Sequence, residues 1–326
     1  MNRGSAAQAL PSHDANRLLA GLALAACGAA LFSGKAIVIK LAYRYGADPV
    51  TLIALRMAFA VPLFALALAW AGRRASPLEP ADHLRLATLG VIGYYAASQL
   101  DFLGLQYVTA GLERLVLYLT PTIVMLASAL LLKKPVTRRD AAALVLSYGG
   151  IALVFRHDVA VSGRQVPLGV GLVFLSAAFY ATYLAWSGEL VRRIGAIRLT
   201  SYAMCAATFA SLLQFALLRP WTALRLPAAV YGLSAFNGVA CTVVPVFATM
   251  MAVERIGAGR TALASNVGPV ATIVFGALFL DEAVTSWQLA GTALVLLGVF
   301  VLSRRPPAGI VSRLPTPQAA IEGGER

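Results

Sequence analysis

Ten runs of apolar residues divide this chain, at 18–39, 50–71, 85–106, 113–132, 141–155, 167–187, 199–218, 229–251, 261–280 and 287–302. A bilayer core about 30 Å thick takes roughly 20 residues of α-helix. Barrel strands would be shorter and would alternate polar with apolar, which these runs do not. Composition points the same way: AVILMFWYC residues make up 59% of the 326 residues and charged residues 13%. Soluble domains average about 45–50% and about 25%. The expected fold is therefore an all-α membrane protein with ten transmembrane helices. Cys27, Cys205 and Cys241 all lie inside apolar runs. They read as small buried hydrophobes and rule out a disulfide scaffold. The first run is too long for the core of a signal peptide and lacks a clear cleavage site, so it reads as a retained span.

The net charge of +13 comes from 27 Lys and Arg against 14 Asp and Glu. On a soluble chain this would suggest nucleic acid. Here the basic residues cluster between apolar runs, as in cytoplasmic membrane loops. With the N-terminus inside, 18 basic residues fall on the inner side and 7 on the outer, Lys35 and Arg56 lying within spans. Both termini are therefore expected to be cytoplasmic, with ten spans and no nucleic-acid partner.

The chain also repeats itself. AGLERLVLYLTPTIVMLASALLLKKPVTRRDAAALVLSYGGIALV, from Ala110, aligns without a gap on AGRTALASNVGPVATIVFGALFLDEAVTSWQLAGTALVLLGVFVL, from Ala258, with 12 of 45 positions identical at a constant offset of 148. Pro121 matches Pro269, Gly150 matches Gly298, and Val-Thr recurs at 136–137 and 284–285. Five spans per half is an odd number, so the second half enters from the opposite side. The turns agree: KKPVTRRD at 133–140 is basic, and DEAVTSWQ at 281–288 has no basic residue. Inverted repeats are typical of secondary transporters, with the site near the midplane between the halves.

Five-plus-five spans, with the Ala-Gly, Pro and Leu-x-x-x-Val-Thr pattern closing each half, resemble the EamA branch of the drug/metabolite transporter superfamily. AGLERLVLYLTPT at 110–122 looks like one EamA subgroup, and LDEAVT at 280–285 is similar to the family's acidic turn before the last span. Lys133 and Lys134 depart from that pattern in the first half. The resemblance covers about Leu18 to Leu302 and implies bacterial exporters of amino acids, related metabolites or drugs. It implies a central cavity lined by spans 1–4 and 6–9. The expected organisation is a cytoplasmic segment at 1–17, a first EamA repeat at 18–155 and a periplasmic connector at 156–166. A second repeat follows at 167–302, and a disordered cytoplasmic tail at 303–326.

An ionisable residue inside a span costs about 2.5–3.5 kcal/mol or more and marks a functional site by default. The first half carries Lys35, Arg56, Asp101, Glu113 and Arg114, all expected in the outer half of the membrane. Tyr94, Ser98 and Asp101 fall at i, i+4 and i+7 on one helix face, with Gln99 beside them. Asp101 either binds a substrate amine, takes up a coupling proton, or forms a structural salt bridge to Arg56 or Lys35. Glu113 is a second proton-coupling candidate, or a simple helix N-terminal charge. Lys35 and Arg56 are suited to a substrate carboxylate, Arg56 through its planar fork. Lys40 reads as snorkelling to the interface.

Ser176, Tyr180, Tyr183 and Ser187 form a polar stripe on span 6, and Arg114, Tyr118 and Pro121 share a face of span 4. Tyr118, Tyr180 and Tyr183 are read as cavity wall, and Trp186 as an interfacial anchor. Asn237 and Asn266 line the site or bond between helices. Pro121 and Pro269 are matched helix kinks. Gly149, Gly150, Gly291 and Gly298 read as close-packing positions. His13, His83 and His157 lie outside the spans and far apart, so no metal is expected. No nucleotide motif, enzyme signature or cofactor is expected either.

The expectation is thus a gradient-driven or downhill carrier of a small-molecule substrate in the lipid bilayer, a monomer or homodimer, with protons as a candidate coupling ion. The rivals are an organic-anion or phosphorylated-metabolite exchanger using Lys35 and Arg56, and a non-transporting membrane scaffold or enzyme.

Overall fold

A computed structural model describes residues 12–73, 78–131 and 136–303. The N-terminal segment up to residue 11, the turn with Lys133 and Lys134, and the tail from 304 lie outside the described residues. Within them the chain is helical, with no strand. Among the described residues, nine helices are long and apolar enough to cross a membrane. They are Asn16–Tyr43, Pro49–Gly72, Ala110–Ala127, Arg138–Val161, Val166–Gly188, Ala196–Leu218, Ala228–Gly257, Arg260–Leu280 and Ser286–Ser303. The tenth apolar run, 85–106, is laid down in three pieces: α3 (Pro80–Gly90), a π-helical turn (Val91–Ala96) and α4 (Ala97–Gly104).

The other helices are α1 (Ser12–Tyr43), α2 (Pro49–Gly72), α5 (Ala110–Leu117), α6 (Thr120–Leu131), α7 (Arg138–Ser162), α8 (Val166–Ile194) and α9 (Ala196–Leu218). The chain ends with α10 (Ala228–Gly238), α11 (Val244–Ala264), α12 (Val267–Leu280) and α13 (Ser286–Ser303). A second π turn, Val239–Val243, joins α10 to α11. It begins 148 residues after the first, the offset of the sequence repeat.

Packing mirrors the repeat. α1 lies against α10, α11 and α12, and α8 lies against α4, α5 and α6. α2 crosses α9, and α7 pairs with α13. Each π turn comes after a glycine set against a backbone of the other half. Gly90 meets the Ala203 carbonyl, and a Cβ on Gly238 would stand 2.6 Å from the Arg56 carbonyl oxygen. Exposed apolar side chains such as Leu66, Trp70, Phe209 and Leu278 face outward, as a lipid-bathed bundle requires.

The two prolines break their spans rather than bend them. Proline lacks an N–H, which frees the carbonyl four residues earlier. Pro121 frees the Leu117 carbonyl, which accepts from Thr120 Oγ1 at 2.7 Å. Pro269 frees the Ser265 carbonyl, which accepts from Tyr118 Oη at 2.7 Å across the repeats.

Three of the four glycines read as packing positions behave so. A Cβ on Gly150 would lie 2.6 Å from the Gly291 carbonyl oxygen, and Gly298 abuts the Ala143 carbonyl. Gly149 faces open space, a correction. Gly150→Val is expected to destabilise the α7–α13 pair by about 1–3 kcal/mol, the usual cost of overpacking. Gly149→Ala serves as the neutral control. Thermal unfolding in detergent checks this; equal midpoints for the two variants would refute it.

Candidate functional site

Three spans of the first repeat bring their charges together. Lys35 on α1 sets its Nζ 2.5 Å from Asp101 Oδ2 on α4 and 3.3 Å from Glu113 Oε1 on α5. All three are buried, Glu113 at 1% exposure. Arg56 on α2 donates from Nη2 to Ser98 Oγ at 2.8 Å and lies over the Phe102 ring at 4.8 Å. Arg114 on α5 stacks on Phe32 at 4.8 Å and on Tyr118 at 5.4 Å. The cluster therefore holds three basic and two acidic groups. Lys35 engages both carboxylates, and among the described residues neither guanidinium has a carboxylate within ion-pair distance. Arg56 Nε, Arg114 Nε, Asp101 Oδ1 and both Glu113 oxygens lack a hydrogen-bond partner.

Of the two ion-pair partners open to Asp101, the structure pairs it with Lys35 and not Arg56. Glu113 is not merely a helix-terminal charge, since its carboxylate faces Lys35. The start of α5 is capped instead by Thr109 Oγ1, which accepts from Leu112 N at 3.2 Å.

Other residues fall elsewhere. A π turn adds one residue and so rotates the rest of its helix by about 100°. Tyr94 sits inside that turn and leaves the face of Ser98 and Asp101. Its ring centroid lies 4.9 Å from that of Tyr183 and 6.2 Å from that of Tyr180, both on α8. The span 6 stripe packs there too, with Ser176 Oγ donating to the Ala97 carbonyl at 2.7 Å. Gln99 turns away and bonds to Gln214 on α9. Asn237 is buried with Oδ1 unpartnered, against Val38, Ile39 and Leu52 rather than in the charge cluster. Asn266 is half-buried at the break before α12. Trp186 is exposed.

Lys40 is a correction. It does not snorkel free but pairs with Glu282 Oε1 at 2.9 Å and donates to the Val108 carbonyl at 2.8 Å. Both Glu282 oxygens accept from Ala110 N, at 3.0 and 3.1 Å. Arg44 adds a bond to the Leu280 carbonyl at 2.8 Å. This latch ties the first repeat to the second at one end of the bundle. Sequence reading missed it and gave Phe32 no part, although the acidic turn at 281–282 was a visible signal.

At the other end, before the third apolar run, Asp82 accepts from Glu79 N at 3.1 Å and from Arg193. The Arg193 hydrogen bond holds the Asp82 carboxyl below its ordinary range, against the opposing push of burial. A lowered pKa adds stability above the ordinary carboxylate pKa and loses it as pH falls through the lowered value. Asp82→Asn should thus lower the unfolding temperature at neutral pH and approach wild type only as pH falls from the ordinary carboxylate pKa, about 3.9, through the lowered value. A pH-independent gap would refute this.

The comparisons with known proteins agree with the two-repeat geometry. The EamA-like transporter family matches twice, over residues 19–156 and 167–304. The uncharacterized transporter YcbK of Bacillus subtilis is 34% identical over 278 residues, 83% of this chain and 89% of that protein. An uncharacterized transporter of Archaeoglobus fulgidus is 26% identical over 267 residues, 82% of this chain and 92% of that one. A protein crystal structure superposes with a TM-score of 0.59 at 18% identity, covering 88% of this chain and 96% of that chain, a likeness of fold.

Proposed function

The chain belongs to the EamA-like transporter family, and we propose that it exports a small amphipathic metabolite, an amino acid or a derivative, by alternating access coupled to proton exchange. In this reading the third, π-interrupted helix completes ten spans in a bacterial inner membrane. Both termini are cytoplasmic, the Lys40–Glu282 end is periplasmic, and the unit is a monomer or homodimer. The observation that carries the reading is the Lys35 ammonium between Asp101 and Glu113. A tethered ammonium occupies the place a substrate ammonium would take, with guanidiniums nearby for a carboxylate.

Competition sets the sign of coupling. A proton and a substrate amine compete for the same carboxylates, so each favours release of the other, and the carrier exchanges them. An anion on the guanidiniums would instead bind better when a carboxylate is protonated, and the two would move together. The excess of one positive charge favours this second reading, the organic-anion exchanger using Lys35 and Arg56.

Counterflow in proteoliposomes with a panel of amino acids, amines and organic acids, with and without a pH gradient, tests the proposal. The expected result is saturable amino-acid uptake accelerated by an acid-inside pH gradient, protons leaving as the amino acid enters, and abolished by Asp101→Asn. Anion uptake driven with protons would establish the second reading. Absence of any saturable uptake by folded protein would overturn both.

A further inference from the structure

We propose that Arg114, seated at the break in the ninth span, is an anion subsite that takes the carboxylate of the metabolite. This rests on the function proposed above and assigns the anion to a residue outside the Lys35–Arg56 pair. Arg114 is 5% exposed. Its guanidinium carbon lies 4.8 Å from the Phe32 ring centroid and 5.4 Å from that of Tyr118. The Tyr118 hydroxyl contacts the guanidinium, and the unpartnered Nε leaves part of the N–H edge for a carboxylate oxygen.

The nearest backbone does not supply that acceptor. At the break, the Ser265 carbonyl already accepts from Tyr118 Oη at 2.7 Å and from Gly268 N at 3.0 Å. The Gly268 carbonyl accepts from Ser33 Oγ at 2.8 Å and Thr272 Oγ1 at 3.2 Å. The neighbouring carboxylate of Glu113 is directed to Lys35. Arg114 Nε is left without an acceptor.

Aromatic contact alone leaves a guanidinium buried in a span without a counter-charge, which a bound anion would supply.

Gly268 shapes the place. A Cβ there would stand 2.9 Å from Arg114 Nη2, 2.8 Å from Tyr118 Oη and 3.2 Å from Ser33 Oγ. The bare glycine lets Arg114, Tyr118 and Ser33 of the first repeat close on the break in the second. The cluster's excess of one positive charge matches a monoanion better than a phosphate monoester, which carries about −1.5 to −2. A carboxylate is the class assigned.

Three probes of one shape test the subsite: 3-phenylpropionate, phenylalanine and phenethylamine, each titrated by thermal shift on the purified full chain in detergent. Phenylpropionate is expected to stabilise the wild type. Arg114→Gln is expected to weaken that binding roughly tenfold or more, the loss of a charge-assisted hydrogen bond. Phenethylamine, held by the carboxylates, keeps its shift. Arg114→Lys retains charge without the fork and falls between. Gly268→Ala retains Arg114 but crowds its Nη2 and the Tyr118 hydroxyl, and weakens phenylpropionate as well. The inference is overturned if phenylpropionate leaves the wild type unshifted, or shifts it and Arg114→Gln equally. If the shift depends on Arg114 but none of the three compounds undergoes counterflow, the subsite stands and the exporter reading fails.

Discussion

Asp101→Asn is expected to abolish transport and destabilise the protein, while Lys35→Met/Asp101→Asn restores stability but not transport. The single change leaves the Lys35 ammonium, buried at 6% exposure, with Glu113 as its remaining carboxylate. Breaking a buried pair by removing one partner costs about 3–5 kcal/mol, because the other charge is left behind. The contact to Glu113 puts this case near the low end. In the double variant no ammonium is stranded, and Glu113 can take a proton and become neutral. Replacing a buried ion pair with neutral groups of similar volume is neutral or stabilising by about 1–4 kcal/mol. A purely structural salt bridge predicts that the double variant regains transport together with its fold. A site predicts a folded, inactive protein. Unfolding temperature and counterflow, measured on the same preparations, separate the two.

The architecture was legible because its causes are local. Run length defines the spans, and an ungapped match at offset 148 exposes the repeat that packing then displays. That Asp101 and Lys35 matter was also legible, since a charge in an apolar run requires a partner. Which partner was not, because pairing depends on how α1 and α4 cross. The π turn at Val91–Ala96 carries no periodic signature, yet it takes Tyr94 off the face of Ser98 and Asp101. Lys40 looked interfacial because it lies at the end of a span. Its partner Glu282 is 242 residues away, in the second repeat, and reaches it only through tertiary packing. Arg114 was placed among the charges of the spans and on the face of Tyr118, but its separation from Glu113 was not legible. In the helix they part, Glu113 to Lys35 and Arg114 to the aromatic rings.

Glu282→Ala should release the latch and expose the interior at that end of the bundle. Alternating access needs the repeats to separate at one end while closing at the other. Here the closed end is held by a carboxylate that accepts from Ala110 N with both oxygens and pairs with Lys40. At 14% and 24% side-chain exposure, the pair is less screened than a surface bridge. Surface bridges contribute about 0–1 kcal/mol and charge-assisted hydrogen bonds about 1.5–3 kcal/mol. Losing both through alanine is therefore worth about 2 kcal/mol, a shift of roughly 30-fold in the closed-to-open ratio. Glu282→Gln keeps an acceptor for Ala110 N and should shift it less. Ala36, buried one turn before Lys40, reports the change. With Cys27, Cys205 and Cys241 replaced, Ala36→Cys should react faster with a membrane-impermeant maleimide in Glu282→Ala than in the parent. The swap Lys40→Glu/Glu282→Lys restores the pair but sets an ammonium against Ala110 N, so it should recover only part of the protection. Identical labelling rates in Glu282→Ala and the parent would mean that the latch does not hold this end closed. Separation would then be resisted by the apolar contacts of α1 with α11 and α12.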